Sequence, residues 1–221
     1  MIGDFIAQAA LFALPLLLGV VAHEVAHGWV ADKLGDPTAR LMGRITLNPL
    51  VHIDIMGTII LPIFLIVVHS PFLFGWAKPV PVQFGNLRGG RRDMALVAVA
   101  GPLTNLGMAI LSAVVFQTVA HGYQEGWIPR QGLIYGMAEP IYLMSRISVT
   151  FNLVLMLINL LPVPPLDGGR IMVGILPYRL AEKLEHLEPF GMLVVLLLIG
   201  SGTWSYIVHP VLDVLLDLFL R

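Results

Sequence analysis

Residues 20–35 read VVAHEVAHGWVADKLG, and two histidines and one glutamate interrupt this otherwise apolar stretch. His23 and His27 are four residues apart, so on a helix they lie on one face, one turn from each other. Two imidazoles at that spacing can bind one metal ion, and Glu24 beside them can act as general base toward a metal-bound water. The pattern therefore predicts a helix that carries a hydrolytic metal site.

The composition of the whole chain predicts a membrane protein. The 221 residues are 57% hydrophobic and only 12% charged, and the mean hydropathy is +0.85. The 13 basic residues are scattered and form no stripe for nucleic acid. The chain contains no cysteine, which excludes disulfides and thiolate metal sites, so a metal must be held by His, Asp or Glu. We expect one domain, residues 1–221.

Apolar stretches near the roughly 20 residues that a membrane-spanning helix needs occur four times along the chain. They lie at about 5–31, 94–120, 140–161 and 189–209. A fifth stretch, 53–74, is interrupted by glycine and proline, which predicts a re-entrant hairpin in place of a straight span. The expected fold is an all-α integral membrane protein with about four transmembrane helices and this hairpin.

Two short segments beside the hairpin have a strand-like pattern. They are ARLMGRITLNP, residues 39–49, and KPVPVQF, residues 78–84. Runs of this kind predict strands, so we expect a small membrane-associated β-sheet near the hairpin.

Basic residues lie on both sides of the predicted hairpin, and basic loops prefer the cytoplasm. Three precede it and four follow it: Lys33, Arg40, Arg44, Lys78, Arg88, Arg91 and Arg92. Both flanks are therefore expected on the cytoplasmic side, with both chain termini outside. We predict a multi-pass protein of the cell membrane whose metal site faces the cytoplasm.

The placement of the histidine pair in a membrane span strengthens the metal interpretation. An ionisable residue deep in a bilayer costs about 2.5 to 3.5 kcal/mol on insertion scales. His23, Glu24 and His27 lie within five residues, so they need a compensating partner, and a divalent cation is the obvious one. The alternative explanation is a chance HExxH match, which a soluble amphipathic helix with a polar face can produce.

A third metal ligand is expected from NLLPVPPLDGGR, Asn159 to Arg170, where the third span ends. Three prolines stop a regular helix and two glycines allow tight backbone, so Asp167 is presented from irregular chain. It can reach the depth of His23 and His27 if the two spans pack together. The alternative role of Asp167 is a turn or helix-cap residue, which the sequence DGG also favours.

The chain resembles the site-2 protease family of intramembrane zinc metalloproteases in three separated motifs. These are His23 to His27 on the first span, Gly101 to Asn105 on the second, and Asn159 through Gly169 on the third. Their order and membrane placement match, and they cover a catalytic core of about 10–175, followed by the C-terminal span 189–209. The compact chain is similar to the short prokaryotic branch without PDZ or CBS modules, which implies a prokaryotic plasma membrane.

The resemblance implies one Zn²⁺ per chain, held by His23, His27 and Asp167, with Glu24 activating the zinc-bound water. It implies that Asn159 helps to bind the substrate carbonyl or its oxyanion. The implied function is zinc-dependent endopeptidase cleavage within or near transmembrane segments of substrate proteins in the lipid bilayer, with no nucleic-acid partner.

Two polar residues have open roles. Asn105 inside the second span could support the active site or belong to a small-residue packing surface. His52, with Asp54 near it, could support the metal or form a second metal site, but ordering of the loop that enters the hairpin is the simpler explanation.

Two other functions would use the same residues. A membrane zinc transporter or sensor could bind the ion through the same ligands, but hydrolysis gives Glu24 a defined task and the two halves of the chain show no repeat. An inactive relative that binds helices without cutting them has no support, because all four catalytic positions are filled.

Overall fold

The computed structural model describes residues 2–68 and 77–221, and in these ranges the chain is mostly helical. The α-helices of the described residues are α1 (Ile2–Leu34), α2 (Thr38–Leu41), α3 (Leu61–Val67), α4 (Arg91–Gln124), α5 (Leu133–Asn159), α6 (Asp167–Ile175), α7 (Tyr178–Glu185), α8 (Glu188–Gly200) and α9 (Thr203–Leu220). Short 3₁₀ turns occur at Pro49–His52 and Phe84–Asn86, and a π-helical turn occurs at Ile55–Ile60.

Three helices in the described residues are long and apolar enough to cross a membrane. They are Leu11–Leu34 within α1, the whole of α4 and the whole of α5. Large apolar side chains such as Leu14, Leu103 and Leu111 are exposed on them. A continuous apolar surface of this kind is unfavourable in water and suits contact with lipid.

The long helix α4 lies at the centre of the bundle and packs against α1, α5 and α6. One buried cluster joins α1, α4, α6 and α7 through small and aliphatic residues, among them Ala31, Val97 and Val173. A second cluster joins α4 and α5 to α9 through residues that include Ala109, Leu153 and Leu212. The ends of α1 and α6 are thereby brought to the same face of α4.

The predicted β-sheet is wrong: the residues that the structure describes contain no strand. Residues 77–83 run as an extended segment before the 3₁₀ turn at Phe84, but Pro79 and Pro81 have no amide hydrogen to donate to a ladder. The amides of Val80 and Gln83 donate to side-chain carboxylates instead of to a neighbouring strand. In residues 39–49, α2 ends at Leu41, a turn follows, and residues 44–48 have no regular structure, so the two segments do not form a ladder.

The prediction of four spans is also wrong for the described residues, where three helices qualify. The predicted span 189–209 is divided into α8 and α9 at Gly202, which adopts φ +73°. This left-handed conformation is readily available to glycine and ends regular helix geometry. The two helices that result are 13 and 18 residues long.

The predicted hairpin is described only in its first part. Asp54 caps the π-helical turn by accepting a hydrogen bond from the Gly57 amide at 2.7 Å. The turn continues into α3, and Ile55–Leu65 forms a short apolar helical stretch. Residues 69–76, which would complete the hairpin, lie outside the described residues.

Candidate metal centre

Helix α1 brings His23 and His27 together because four residues complete about one helical turn. Their Nε2 atoms are 3.0 Å apart. The ring planes are nearly perpendicular, at 85°. His23 is buried and His27 is half-buried, so both rings face the inside of the bundle.

The third candidate ligand comes from the first residue of α6. One carboxylate oxygen of Asp167, Oδ2, lies 3.2 Å from Nε2 of His23 and 3.3 Å from Nε2 of His27. The turn that precedes α6 passes so close that a Cβ on Gly168 would overlap the carbonyl oxygen of Leu161. Because residue 168 is a glycine, the turn can pass this close to the start of α6. Helix α6 can then begin where the Asp167 side chain contacts the two histidines of α1. The side chain of Asp167 points at the histidines and does not cap its own helix.

Hydrogen bonds on the far side of each ring determine which nitrogen is free. Nδ1 of His23 donates to Oδ1 of Asn105 at 2.7 Å. Nδ1 of His27 donates to the carbonyl oxygen of Val97, also at 2.7 Å. A carbonyl oxygen can only accept, so each Nδ1 carries the hydrogen and each Nε2 presents a lone pair. Two nitrogen lone pairs and one carboxylate oxygen thus converge on one point.

The geometry of these three atoms fits a zinc ion. Ligands about 2.0 to 2.1 Å from a tetrahedral zinc are about 3.3 to 3.4 Å from each other. The observed separations are 3.0, 3.2 and 3.3 Å. Oδ2 of Asp167 is buried without a hydrogen-bond partner among the described residues, and a cation would satisfy it. Two histidines and one carboxylate leave the fourth position open, as in catalytic zinc sites.

Glu24 lies beside the ligand set and is held by the backbone. Its Oε2 accepts a hydrogen bond from the Val80 amide at 2.7 Å. Val80 belongs to the extended segment 77–83, which passes over this part of α1. The carboxylate is half-buried. Within residues 2–68 and 77–221 only the Val80 amide bonds to it, so its other oxygen is available for proton transfer.

A cavity of about 510 Å³ contains the site. Its walls come from α1, α4, the extended segment 77–83 and the turn before α6. Asn159, at the end of α5, also lines it, and its Nδ2 donates to the carbonyl oxygen of Leu155 at 3.0 Å. No described residue accepts the second amide hydrogen of Asn159, so this hydrogen can serve a bound molecule.

Asn105 and His52 occupy different surroundings. Asn105 lies directly behind His23, in contact with its ring nitrogen, so it orients a candidate ligand. His52 is buried away from the metal centre, where its Nε2 bonds to the carbonyl oxygen of Thr46 at 2.9 Å. The carbonyl oxygen of His52 accepts from the Lys78 amide at 2.8 Å. In the described part of the chain, His23, His27 and Asp167 form the only group that could hold a metal.

Asp36 fixes the far end of the extended segment. It is fully buried and accepts hydrogen bonds from the Gln83 amide at 2.6 Å and from Nδ2 of Asn86 at 2.9 Å. Burial disfavours its charged form, but the hydrogen bonds from Thr38, Asn86 and Gln83 outweigh burial, so the pKa of this carboxyl lies below its usual value. The charged group ties α1 to the wall of the cavity.

Arg44 fixes the near end of the same segment. Its side chain is buried and donates to the carbonyl oxygens of Lys78 at 2.7 Å and Pro79 at 3.2 Å. Sequence reasoning counted Arg44 among the basic residues and gave Asp36 no role. No local sequence pattern predicts these contacts, because the partners are far apart in the chain: Lys78 is 34 positions from Arg44.

Comparison with known proteins identifies relatives over most of the chain. "Putative zinc metalloprotease YwhC" of Bacillus subtilis is 36% identical over 206 residues, which is 93% of this chain and 87% of the relative. "Putative zinc metalloprotease Rip2" of Mycobacterium tuberculosis is 26% identical over 205 residues, 90% of this chain and 71% of the relative. The Rip2 protein of Mycolicibacterium smegmatis is 26% identical, and the match spans 64% of its length. No protein-family model and no solved structure matches the chain.

Proposed function

This chain belongs to the zinc metalloprotease family of its Bacillus subtilis relative, and we propose that it is an intramembrane endopeptidase of the site-2 protease type. It is a zinc-dependent hydrolase. The proposed substrates are membrane proteins, cut within or near their transmembrane segments. The sequence motifs and the position of the ligands along α1 support the assignment as an intramembrane endopeptidase.

The depth of the ligand set is the observation that carries the proposal. Helix α1 ends at Leu34, eleven residues after His23 (34 − 23), and continues on the other side of His23 back to Ile2. At about 1.5 Å per residue, His23 is about 16 Å along the axis from the end of α1 at Leu34. The hydrocarbon core is about 30 Å thick. Metal ligands at this distance from the basic end of an apolar helix favour hydrolysis inside the membrane.

The residues around the cavity have separable tasks in this reaction. Zinc, when bound, supplies a Lewis acid that polarises the scissile carbonyl and acidifies water. Glu24 takes the proton of the attacking water and delivers it to the leaving amine. The free amide hydrogen of Asn159 is available to donate to the substrate carbonyl oxygen as negative charge develops there.

A transmembrane substrate must change conformation before it can react. Each peptide carbonyl of an intact helix is engaged in a hydrogen bond within that helix. The substrate therefore unwinds locally and presents one peptide bond to the cavity. Water is expected to enter from the cytoplasmic side, where segment 77–83 lines the cavity.

The orientation in the membrane follows from the basic residues. Lys33 ends α1, and Arg91 and Arg92 begin α4. Basic segments prefer the cytoplasm, so we place these ends and the nearby site on the cytoplasmic side of a prokaryotic plasma membrane. The protein is then a multi-pass protein whose active site is reached from the cytoplasm.

Replacing Val80 with proline should reduce the rate of cleavage about tenfold while zinc content stays unchanged. Proline has no amide hydrogen, so Glu24 loses the hydrogen bond that orients it, and hydrogen bonds to charged groups contribute about 1.5 to 3 kcal/mol. Pro81 already restricts residue 80 to the β and polyproline region, which includes the φ that proline adopts. The measurement is kcat on a transmembrane-helix substrate, together with bound zinc per protein.

Val80→Ala is the matched control, since it trims the same side chain and keeps the amide. It should cleave faster than Val80→Pro. Equal rates in the two variants at equal zinc content would show that the amide does not orient Glu24.

Removal of zinc tests the proposed function itself. We expect zinc-loaded protein in detergent to cut a transmembrane-helix substrate, protein treated with 1,10-phenanthroline to cut none, and added zinc to restore cutting. A protein that cuts equally well after its zinc has been removed, as measured by metal analysis, would contradict the proposal.

A further inference from the structure

A chain of buried polar side chains leads from His23 away from the cavity and into the bundle. Behind the His23 ring, Asn105 donates from Nδ2 to Oδ1 of Asn152 at 2.9 Å. Asn152 in turn donates to the carbonyl oxygen of Ser148 at 2.9 Å. The hydroxyls of Ser148 and Ser112 are 2.8 Å apart. Asn105 and Asn152 are fully buried, with 0% of their surface exposed.

Two backbone carbonyls fix the direction of both amide groups. Since a carbonyl oxygen only accepts, the nitrogen of Asn152 must face Ser148 and its oxygen must face Asn105. Asn105 then directs its nitrogen to Asn152 and to the carbonyl oxygen of Gly19, 3.2 Å away. Only its oxygen is left for His23. The assignment of both amides therefore follows from the network itself.

The direction of the Asn105 amide matters for metal binding. An oxygen at Nδ1 of His23 keeps the hydrogen on Nδ1 and leaves the Nε2 lone pair for the metal. A rotated amide would present its NH₂ group to Nδ1 and favour a hydrogen on Nε2, which cannot then bind a metal. We propose that Asn152 is a positioning residue of the zinc centre, which acts through Asn105 on the ring of His23.

Close packing of α1 on α5 leaves Asn152 little freedom. A Cβ added to Gly19 would lie 2.9 Å from Oδ1 of Asn152 and 3.4 Å from its Cγ. Because Gly19 has no Cβ, there is room for the side-chain amide of Asn152 beside α1. The backbone of α1 at this position limits the movement of that amide. Without Asn152, Nδ2 of Asn105 would lose its 2.9 Å bond and keep one acceptor among the described residues, the carbonyl oxygen of Gly19 at 3.2 Å, so the amide would be held less firmly in the direction that His23 needs.

The test measures metal binding and leaves cleavage aside. Zinc affinity is determined in detergent by competition with a chromophoric chelator, and the geometry of the centre is followed by the visible absorption of the Co²⁺-loaded protein. Asn152→Leu keeps the volume and removes the polar atoms. We expect its zinc affinity to fall about ten- to 100-fold and the Co²⁺ spectrum to change, as for other residues that orient a ligand.

Two further variants separate positioning from folding. Asn152→Asp keeps an oxygen toward Asn105 and, when protonated, a donor toward Ser148, so it should recover most of the affinity. Gly19→Ala keeps every polar group, but its Cβ would lie 2.9 Å from Oδ1 and 3.4 Å from Cγ and Nδ2 of Asn152, so it displaces this amide and should lower zinc affinity. Gly107→Ala, where an added Cβ meets nothing within 4 Å, is the control.

A folded Asn152→Leu protein with wild-type zinc affinity and an unchanged Co²⁺ spectrum would overturn the inference. If that variant does not fold, unchanged affinity in Gly19→Ala would overturn it instead. The inference rests on the zinc centre of the proposed function, but its readout is metal binding. It can therefore fail while intramembrane cleavage stands, and cleavage can fail while the inference stands.

Discussion

Replacing Glu24 with glutamine should lower the rate of peptide cleavage about 1,000-fold or more and leave zinc binding intact. Glutamine has the size of glutamate, and its oxygen can still accept the hydrogen bond from the Val80 amide, which is 2.7 Å from Oε2 in the native protein. It cannot accept the proton of the attacking water. The measurement is single-turnover cleavage of a transmembrane-helix substrate, with bound zinc determined on the same samples.

Glu24→Asp provides a graded comparison at this position. Its carboxylate is a base but lies about one carbon–carbon bond farther from the substrate, so its rate should fall between those of wild type and Glu24→Gln. A Glu24→Gln protein that cleaves as fast as wild type would show that another group takes the proton, and Glu24 would lose its assigned role.

Replacing Gly101 with alanine should lower zinc affinity at least about 100-fold. An added Cβ would lie 2.5 Å from Cε1 of His23, 2.5 Å from Nε2 of His27 and 2.6 Å from Nε2 of His23. These distances are far inside van der Waals contact, and the rings are held by hydrogen bonds on their far sides. The two Nε2 atoms must separate, so zinc affinity should fall at least about 100-fold. This loss is larger than that expected when a metal ligand only loses a hydrogen bond on its far side.

Gly107→Ala, on the same helix, is the matched control for this change. An added Cβ there meets nothing within 4 Å, and alanine is a better helix former than glycine. Zinc affinity should equal that of wild type. A Gly101→Ala protein that binds zinc with wild-type affinity would contradict the described placement of α4 against the two imidazoles.

The metal centre could be predicted from the sequence because its main parts are local or chemically unusual. The spacing of His23 and His27 follows from the helical repeat, and ionisable residues in an apolar span call for a cation. Asp167 stood out as an acidic residue after the prolines that end a span, although the structure makes it the first residue of α6 and not part of irregular chain. The structure brings the three together, and the prediction of zinc is confirmed by the named relatives and the ligand group.

The errors in the predicted fold came from sequence patterns that are compatible with more than one backbone structure. Alternating apolar residues in 78–84 suggested a strand, but Pro79 and Pro81 remove the donors that a ladder needs. The stretch 189–209 is apolar enough to span a membrane, but the backbone at Gly202 divides it. In both cases proline or glycine outweighed the hydrophobic pattern.

Other parts of the site depend on tertiary structure and could not be predicted from local pattern. The hydrogen bond between Glu24 and the Val80 amide joins positions 56 residues apart and uses a backbone group that every residue possesses. Asn152 was visible as a polar residue inside the third span, a position that usually has a function. Its partner Asn105, however, is 47 residues away on another helix.

The most direct test of intramembrane proteolysis is to locate the cut in a substrate helix. The substrate and this protein are placed in the same liposome bilayer, which the substrate helix spans. Fragments are mapped by mass spectrometry for the zinc-loaded wild type and for Glu24→Gln, and a zinc-sensitive dye inside the liposomes reports any zinc transport. We predict a cut within the apolar segment by wild type, no cut by the variant and no dye response. Cuts confined to residues outside the bilayer, or zinc entry without any cleavage, would contradict an intramembrane protease.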